Sequence, residues 1–235
     1  MRAILPFIFM LRGFTMKKEK IFRFAARMGV YCLGLMFLAL GVAVSVNSNL
    51  GVSPVNSLPY IVSLIIRVPM GTCVTTIFCF YILLQFLLLG KQFNPINVLQ
   101  IAFATIFGYF VDSAKALIGA WALPGYLGQL AMLAMSIVLI ALGILLYMEA
   151  QLVPMPMEGL TATIARKMNV PFPKMKTVVD CIVVGVGLVL SFSFLGRLDG
   201  IREGTIITAA VVGRLIGLLK KPISPVVSKI CFGKR

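Results

Sequence analysis

A chain of 235 residues that is 60% hydrophobic and only 12% charged is too apolar for an ordinary water-soluble domain, which is about half apolar and about a quarter charged. Its formal net charge of +15 sits mainly in the tails and in particular loops, which marks membrane topology rather than a nucleic-acid patch. With no histidine present, HExxH zinc sites and Ser-His-Asp triads are excluded, and Cys32, Cys73, Cys79, Cys181 and Cys231 form no CxxC pair and read as small packing residues.

The apolar stretch 3–14 follows Arg2, but Arg12 interrupts it and Lys17, Lys18, Lys20 and Arg23 come next, so a cleaved signal peptide is not expected. Met16 opens a second start, MKKEK, and residues 1–15 are expected to be a start-codon artefact or an interfacial helix. Residues 1–23 as a whole read as a basic amino terminus.

A bilayer core of about 30 Å needs about 20 apolar residues at a helical rise of about 1.5 Å each. The first span, 24–46, ends in a polar cluster of Asn47, Ser48, Asn49, Gly51, Ser53 and Pro54. The apolar stretch that follows stops at Arg67 and Pro69 and is too short to cross. Spans at 72–89 and 97–118 flank a tight turn with Lys91 and Pro95. Segment 119–127 carries Trp121 and Tyr126 but no charge, which suits a short external turn. After the fourth span, 128–148, comes a second break with prolines 154, 156, 171 and 173 and several charges. Spans at 177–195 and 204–219 and a basic tail, 220–235, complete an all-α integral membrane protein of six spans.

Short cytoplasmic loops retain Lys and Arg because these are hardest to translocate. Both termini are therefore expected in the cytoplasm, with Lys91, Arg166, Lys167, Lys174, Lys176, Lys220 and Lys221, and with chiefly Arg67, Arg197 and Arg202 outside.

Ala39-Leu40-Gly41 recurs as Ala141-Leu142-Gly143, an offset of 102 residues. At the same offset Pro54 meets Pro156, Val68-Pro69 meets Val170-Pro171 and Thr75 meets Thr177. Two membrane repeats follow, 24–118 and 128–219, each reading as span, short broken helix, span, span. An odd number of spans per unit makes the second copy inverted, and the two breaks are expected to line a shared interior. Each break reads either as a re-entrant segment or as an amphipathic helix on its own surface.

Asp112, Glu149, Glu158, Asp180 and Arg214 lie within or beside the spans, where an ionised side chain costs at least about 2.5–3.5 kcal/mol at the bilayer centre. Glu158 follows Pro156 at a helix start, where the dipole favours it, so capping competes equally with a substrate or cation contact. Its counterpart in the first half is Asn56. Asp180 and Arg214 are expected to pair across spans five and six. Gly213 and Gly217 form a GxxxG pair suited to close helix packing.

Leu50-Gly51-Val52-Ser53-Pro54 after the first span, Glu158 before a short helix, Asp180 in span five and Glu203-Gly204-Thr205 followed by Gly213 together resemble the bacterial YczE/YitT-like membrane proteins, over most of residues 24–220. The resemblance implies a small multispan protein of the cytoplasmic membrane whose family activity is largely unassigned. Arg214 departs from it, standing where a proline often follows the glycine, which leaves any carry-over for span six open.

These features lead to the expectation of a secondary transporter or permease for a small polar or charged solute, with Asn49, Ser53, Asn56, Glu158, Thr161, Asp180 and Thr205 near its central site. A non-transporting membrane scaffold is the alternative. No nucleophile–base pair or metal cluster suggests an enzyme, and no cofactor or metal is expected. The expected partners are membrane lipids and an unidentified small-molecule or ion substrate, not nucleic acid, with homo-oligomerisation left open.

Overall fold

Lipid offers no hydrogen bonds to a backbone, so long apolar runs are stable there only as helices or closed barrels. The computed structural model, which describes the backbone of residues 4–233 and the side chains of residues 20–233, contains eight α-helices and no strand among the described residues. They are α1 (Ile4–Ser48), α2 (Pro54–Ile66), α3 (Met70–Leu89), α4 (Leu99–Ile118), α5 (Gly125–Glu149), α6 (Pro156–Lys167), α7 (Phe172–Leu190) and α8 (Glu203–Phe232). Short 3-10 turns join α3 to α4, and a π turn, Ser191–Leu195, ends α7. The expectation for residues 1–15 lies outside the described side chains.

Among the described residues, five helices are long and apolar enough to cross a membrane: α1 from Lys20, α3, α4, α5 and α7. The sixth expected span falls on α8, whose apolar stretch is interrupted by Arg214 and bounded by Glu203, Lys220 and Lys221. That helix also runs on through the residues expected as a basic tail, despite Pro222 and Pro225. Contacts with α5 hold this extension in place. Ser224 Oγ donates to Glu149 Oε2 at 2.8 Å, Lys220 Nζ lies 3.7 Å from Glu149 Oε1, and Val227 and Cys231 are buried.

Short helices α2 and α6 each open with a proline at the first helical position, where its missing N–H costs nothing. Among the described residues, the non-glycine residues with positive φ are Asn49, Arg67, Gln151 and Asn169. They form two pairs, 49/151 and 67/169, each 102 apart, and each marks the end of a helix, where a left-handed residue satisfies carbonyls left over at the terminus.

Helices α1 and α5 form the central pair and run antiparallel, brought together by glycines. A Cβ on Gly34 would lie 2.7 Å from Tyr147 N, and one on Gly143 would lie 2.5 Å from Leu38 N. Seven residues along α1, a Cβ on Gly41 would lie 3.0 Å from Ser136 O. Contact 34/143 becomes contact 136/41 when the two halves are exchanged by 102 residues. Around this pair, α2 packs on α3 and α7, and α6 packs on α7 and α3.

The halves differ in their last two helices. A Cβ on Gly71 would come within 2.0 Å of Gly108 O, so α3 and α4 approach backbone to backbone, and Gly71 N–H donates to Asp112 Oδ1 at 2.7 Å. No comparable packing joins α7 to α8. Gly213 and Gly217, expected in a close helix contact, are exposed, with no neighbour of the same chain within 4 Å of a Cβ built on either.

Candidate functional site

A chain that breaks inside apolar surroundings must find partners for its freed backbone groups. At the second break they come from α1 and α3. Arg27 Nε donates to Ala150 O at 2.8 Å, Arg27 Nη2 donates to Gln151 O, Tyr31 OH donates to Val153 O at 3.0 Å, and Gln85 Nε2 donates to Pro156 O at 2.9 Å. At the first break they come from α1 itself and the approach to α8. Ser45 Oγ donates to Gly51 O at 3.0 Å, Val52 N to Gly200 O at 3.0 Å, Gly204 N to Leu50 O at 2.8 Å, and Arg202 Nη1 to Asn49 O at 2.8 Å.

The densest polar cluster is built on the first turns of α6. Glu158, the third residue of that helix, lies beside the Tyr147 hydroxyl of α5, which favours its charged form. Its Oε2 is buried without a hydrogen-bond partner. The Tyr31 ring of α1 packs 5.8 Å from Tyr147 and 4.3 Å from Phe103. Gln85 of α3 bridges α4 by donating to Gln100 Oε1 at 3.1 Å, while Gln100 Nε2 and Tyr81 OH are buried and unpartnered. Gly159 lets α6 settle on these amides, since a Cβ there would meet Gln85 Oε1 at 2.7 Å. From α7, Lys176 and Asp180 act electrostatically on the carboxylate. Burial pushes the Glu158 carboxyl above its ordinary 4.5, and Asp180 adds to that push; Lys176, a backbone hydrogen bond of its own residue and Tyr147 pull the other way.

The residues expected around one central site fall into two clusters. Asn49, Ser53, Asn56 and Thr205 gather at the first break. Asn56, only 3% exposed, donates from Nδ2 to Ser53 Oγ at 3.0 Å and leaves Oδ1 unpartnered. Thr205 Oγ1 accepts from Arg202 N at 3.4 Å, and Asn49 is exposed. Glu158 and Asp180 belong to the second cluster. Tyr31 and Ser45, which touch the two breaks, are 14 residues apart on α1, about 21 Å at a rise of about 1.5 Å per residue. Thr161 turns inward along its own helix, donating to Met157 O at 2.8 Å.

The expected pair of Asp180 with Arg214 does not form. Lys176, one turn away on the same helix, lies 2.5 Å from Asp180, whereas Arg214 is exposed on α8, which does not pack on α7. Tyr31, Tyr81, Gln85, Gln100, Tyr147 and Lys176 were not anticipated. The two glutamines, amides set in apolar spans, and Lys176, four residues before Asp180 on one helix, carry a signal in the sequence. Among the described residues no group of three or more His, Cys, Asp or Glu side chains is arranged to hold a metal ion. A shallow surface groove lined by Arg166, Asn169 and Phe172 lies at the opposite end of α6 from Glu158.

A family model described as a family of unknown function, DUF6198, matches residues 25–221. No curated protein matches the chain, no solved structure does, and none of these comparisons carries the YczE/YitT resemblance specifically.

Proposed function

The chain belongs to the DUF6198 family of unknown function, and from its geometry we propose a secondary transporter or permease that moves a small polar or charged solute across the cell membrane. The observation that carries this reading is the cluster at Glu158, where Tyr81 OH, Gln100 Nε2 and Glu158 Oε2 are buried among apolar helices without partners. Unsatisfied polar groups of this kind are costly in a fold and suit a site completed by a ligand.

Two inverted repeats of three helices, each with a re-entrant short helix, complete the proposal. The paired positive-φ residues, the matched prolines and the interchangeable α1–α5 contacts support it. So does burial around the short helices: in α2 only Ile66 is exposed, and in α6 only Arg166 and Lys167, whereas a helix lying on a surface keeps one whole face open. The two polar clusters then mark opposite ends of one path, with the basic loops and both termini on the cytoplasmic side.

The test is uptake by proteoliposomes offered a defined mixture of labelled amino acids, sugars and polyamines, comparing wild type with Glu158→Gln and Asp180→Asn. Uptake by wild type, weakened in both variants at unchanged yield, is expected. A scaffold or accessory role is the second reading. The Lys220–Glu149 contact and the Ser224–Glu149 hydrogen bond, which tie α8 to α5, favour it. It prevails if wild type moves no solute while both variants lose yield and thermal stability. Cysteine accessibility scanning of residues 47–71 and 150–174 tests re-entry, which predicts water-reactive positions protected from the bulk at both breaks.

A further inference from the structure

We infer that Glu158 is the proton-binding site that couples this transport to a proton gradient, exchanging its proton with water at the Lys176–Asp180 pair on α7. The inference rests on the transport reading and adds the coupling ion to it.

Its first support is placement. Glu158 Oε2 is buried and unpartnered, and among the described residues no Lys or Arg nitrogen pairs with the carboxylate. A carboxylate with one oxygen shut away from any partner is costly to ionise, and taking up a proton relieves that cost. A group held neutral by a wide margin would be useless for coupling. Here the first turn of α6, the Tyr147 hydroxyl and Lys176 all favour the charged form, against burial and Asp180. The influences on this carboxyl thus oppose one another.

The surroundings supply the second support. The groups around Glu158 are Tyr31 of α1, Tyr81 and Gln85 of α3, Gln100 of α4, Tyr147 of α5, and Lys176 and Asp180 of α7. Only the last two are charged, and they neutralise each other at 2.5 Å. Of the two carboxylates, Glu158 is the one with no lysine paired to it, and its step balances: carboxylate plus hydronium gives carboxylic acid plus water, and no other reactant is needed. The Lys176 and Asp180 side chains are 24% and 20% exposed, so the cluster opens to its surroundings near the start of α7. At the corresponding position of the first half stands Asn56, whose amide does not titrate, so of the two short helices only α6 carries a carboxyl there.

Infrared spectra of wild type reconstituted in liposomes, taken across pH, are expected to show a protonated-carboxyl C=O band that titrates, is missing from Glu158→Gln, and returns with a displaced midpoint in Glu158→Asp. Asp180→Asn is expected to keep the band and move its midpoint. Liposomes containing a trapped pH-sensitive dye and given the same labelled mixture are expected to show proton entry with solute in wild type only. No titrating band assignable to Glu158 overturns the inference. Solute uptake that ignores the gradient and survives in Glu158→Gln overturns it too, while leaving transport standing. A titrating band with no solute movement defeats transport, and the coupling claim falls with it.

Discussion

Helices α3 and α4 close on each other at Gly71 and Gly108, whereas α7 and α8, in the corresponding places 102 residues on, stay apart. The residues at the contact account for the difference. Gly71 corresponds to Pro173, Gly108 to Ala210 and Asp112 to Arg214. Proline has no N–H to give, arginine has no acceptor to offer, and alanine adds a Cβ where only hydrogen fits. A similar divergence separates the short helices, which share a backbone path but present Asn56 in one half and Glu158 in the other. Two segments of similar helical layout thus differ in packing and in charge: the first half is closed at α3 and α4, and the second holds the carboxylate.

The sharpest way to break this comparison is Gly71→Ala. Its Cβ would sit 2.0 Å from a backbone carbonyl oxygen that cannot rotate away, so the hairpin must spread, at a cost of about 3 kcal/mol. A lower melting temperature in detergent and a reduced folded yield are expected. Asp112→Ala removes the acceptor for Gly71 N–H and is expected to cost about 1–2 kcal/mol, with Asp112→Asn losing less because an amide oxygen still accepts. A smaller effect is a slope with pH. The folded-state carboxyl of Glu158 is raised above 4.5, so the folded protein keeps a proton that the unfolded chain has released. Stability from this group is then full below the unfolded value and is lost as pH rises through the folded one. Melting temperatures of wild type minus Glu158→Gln, measured from acid to neutral pH, are expected to fall, and a flat difference would remove the contrast between the two short helices.

Sequence patterning reveals local features and hides distant ones. Long apolar runs mark α1, α3, α4, α5 and α7, and the prolines at 54 and 156 mark the starts of the short helices, because both signals act within a few residues. The continuation of α8 past Lys220 depends on Glu149, 75 residues from Ser224, and so leaves no local trace. Tyr31 and Tyr147 meet Glu158 only after three helices have packed. From sequence Asp180 is expected to reach Arg214 across helices, yet Lys176 on the same helix needs no docking between helices to be in reach, and that advantage decides the pair.

The gentlest probe of the open second half is Gly213→Ala. In a chain acting alone nothing lies within 4 Å of a Cβ at 213 or 217, so the substitution adds no clash and exchanges the poorest non-proline helix former for the best, a gain of up to about 1 kcal/mol in water. In lipid, where unfolded alternatives are fewer, the gain is expected to be smaller, and the melting temperature should stay level or rise slightly. A fall would carry a definite meaning. Small residues at this spacing stabilise helix pairs by close approach, so a loss on adding one methyl group would show that another helix covers α8 in the assembled protein, with a second copy of the chain the first partner to test by crosslinking at Gly217→Cys. The same substitution in the sealed half, at Gly108, already has Thr75 Oγ1 at 2.4 Å and Gly71 O at 2.5 Å from the added atom, so the pair of variants measures how differently the two halves are packed.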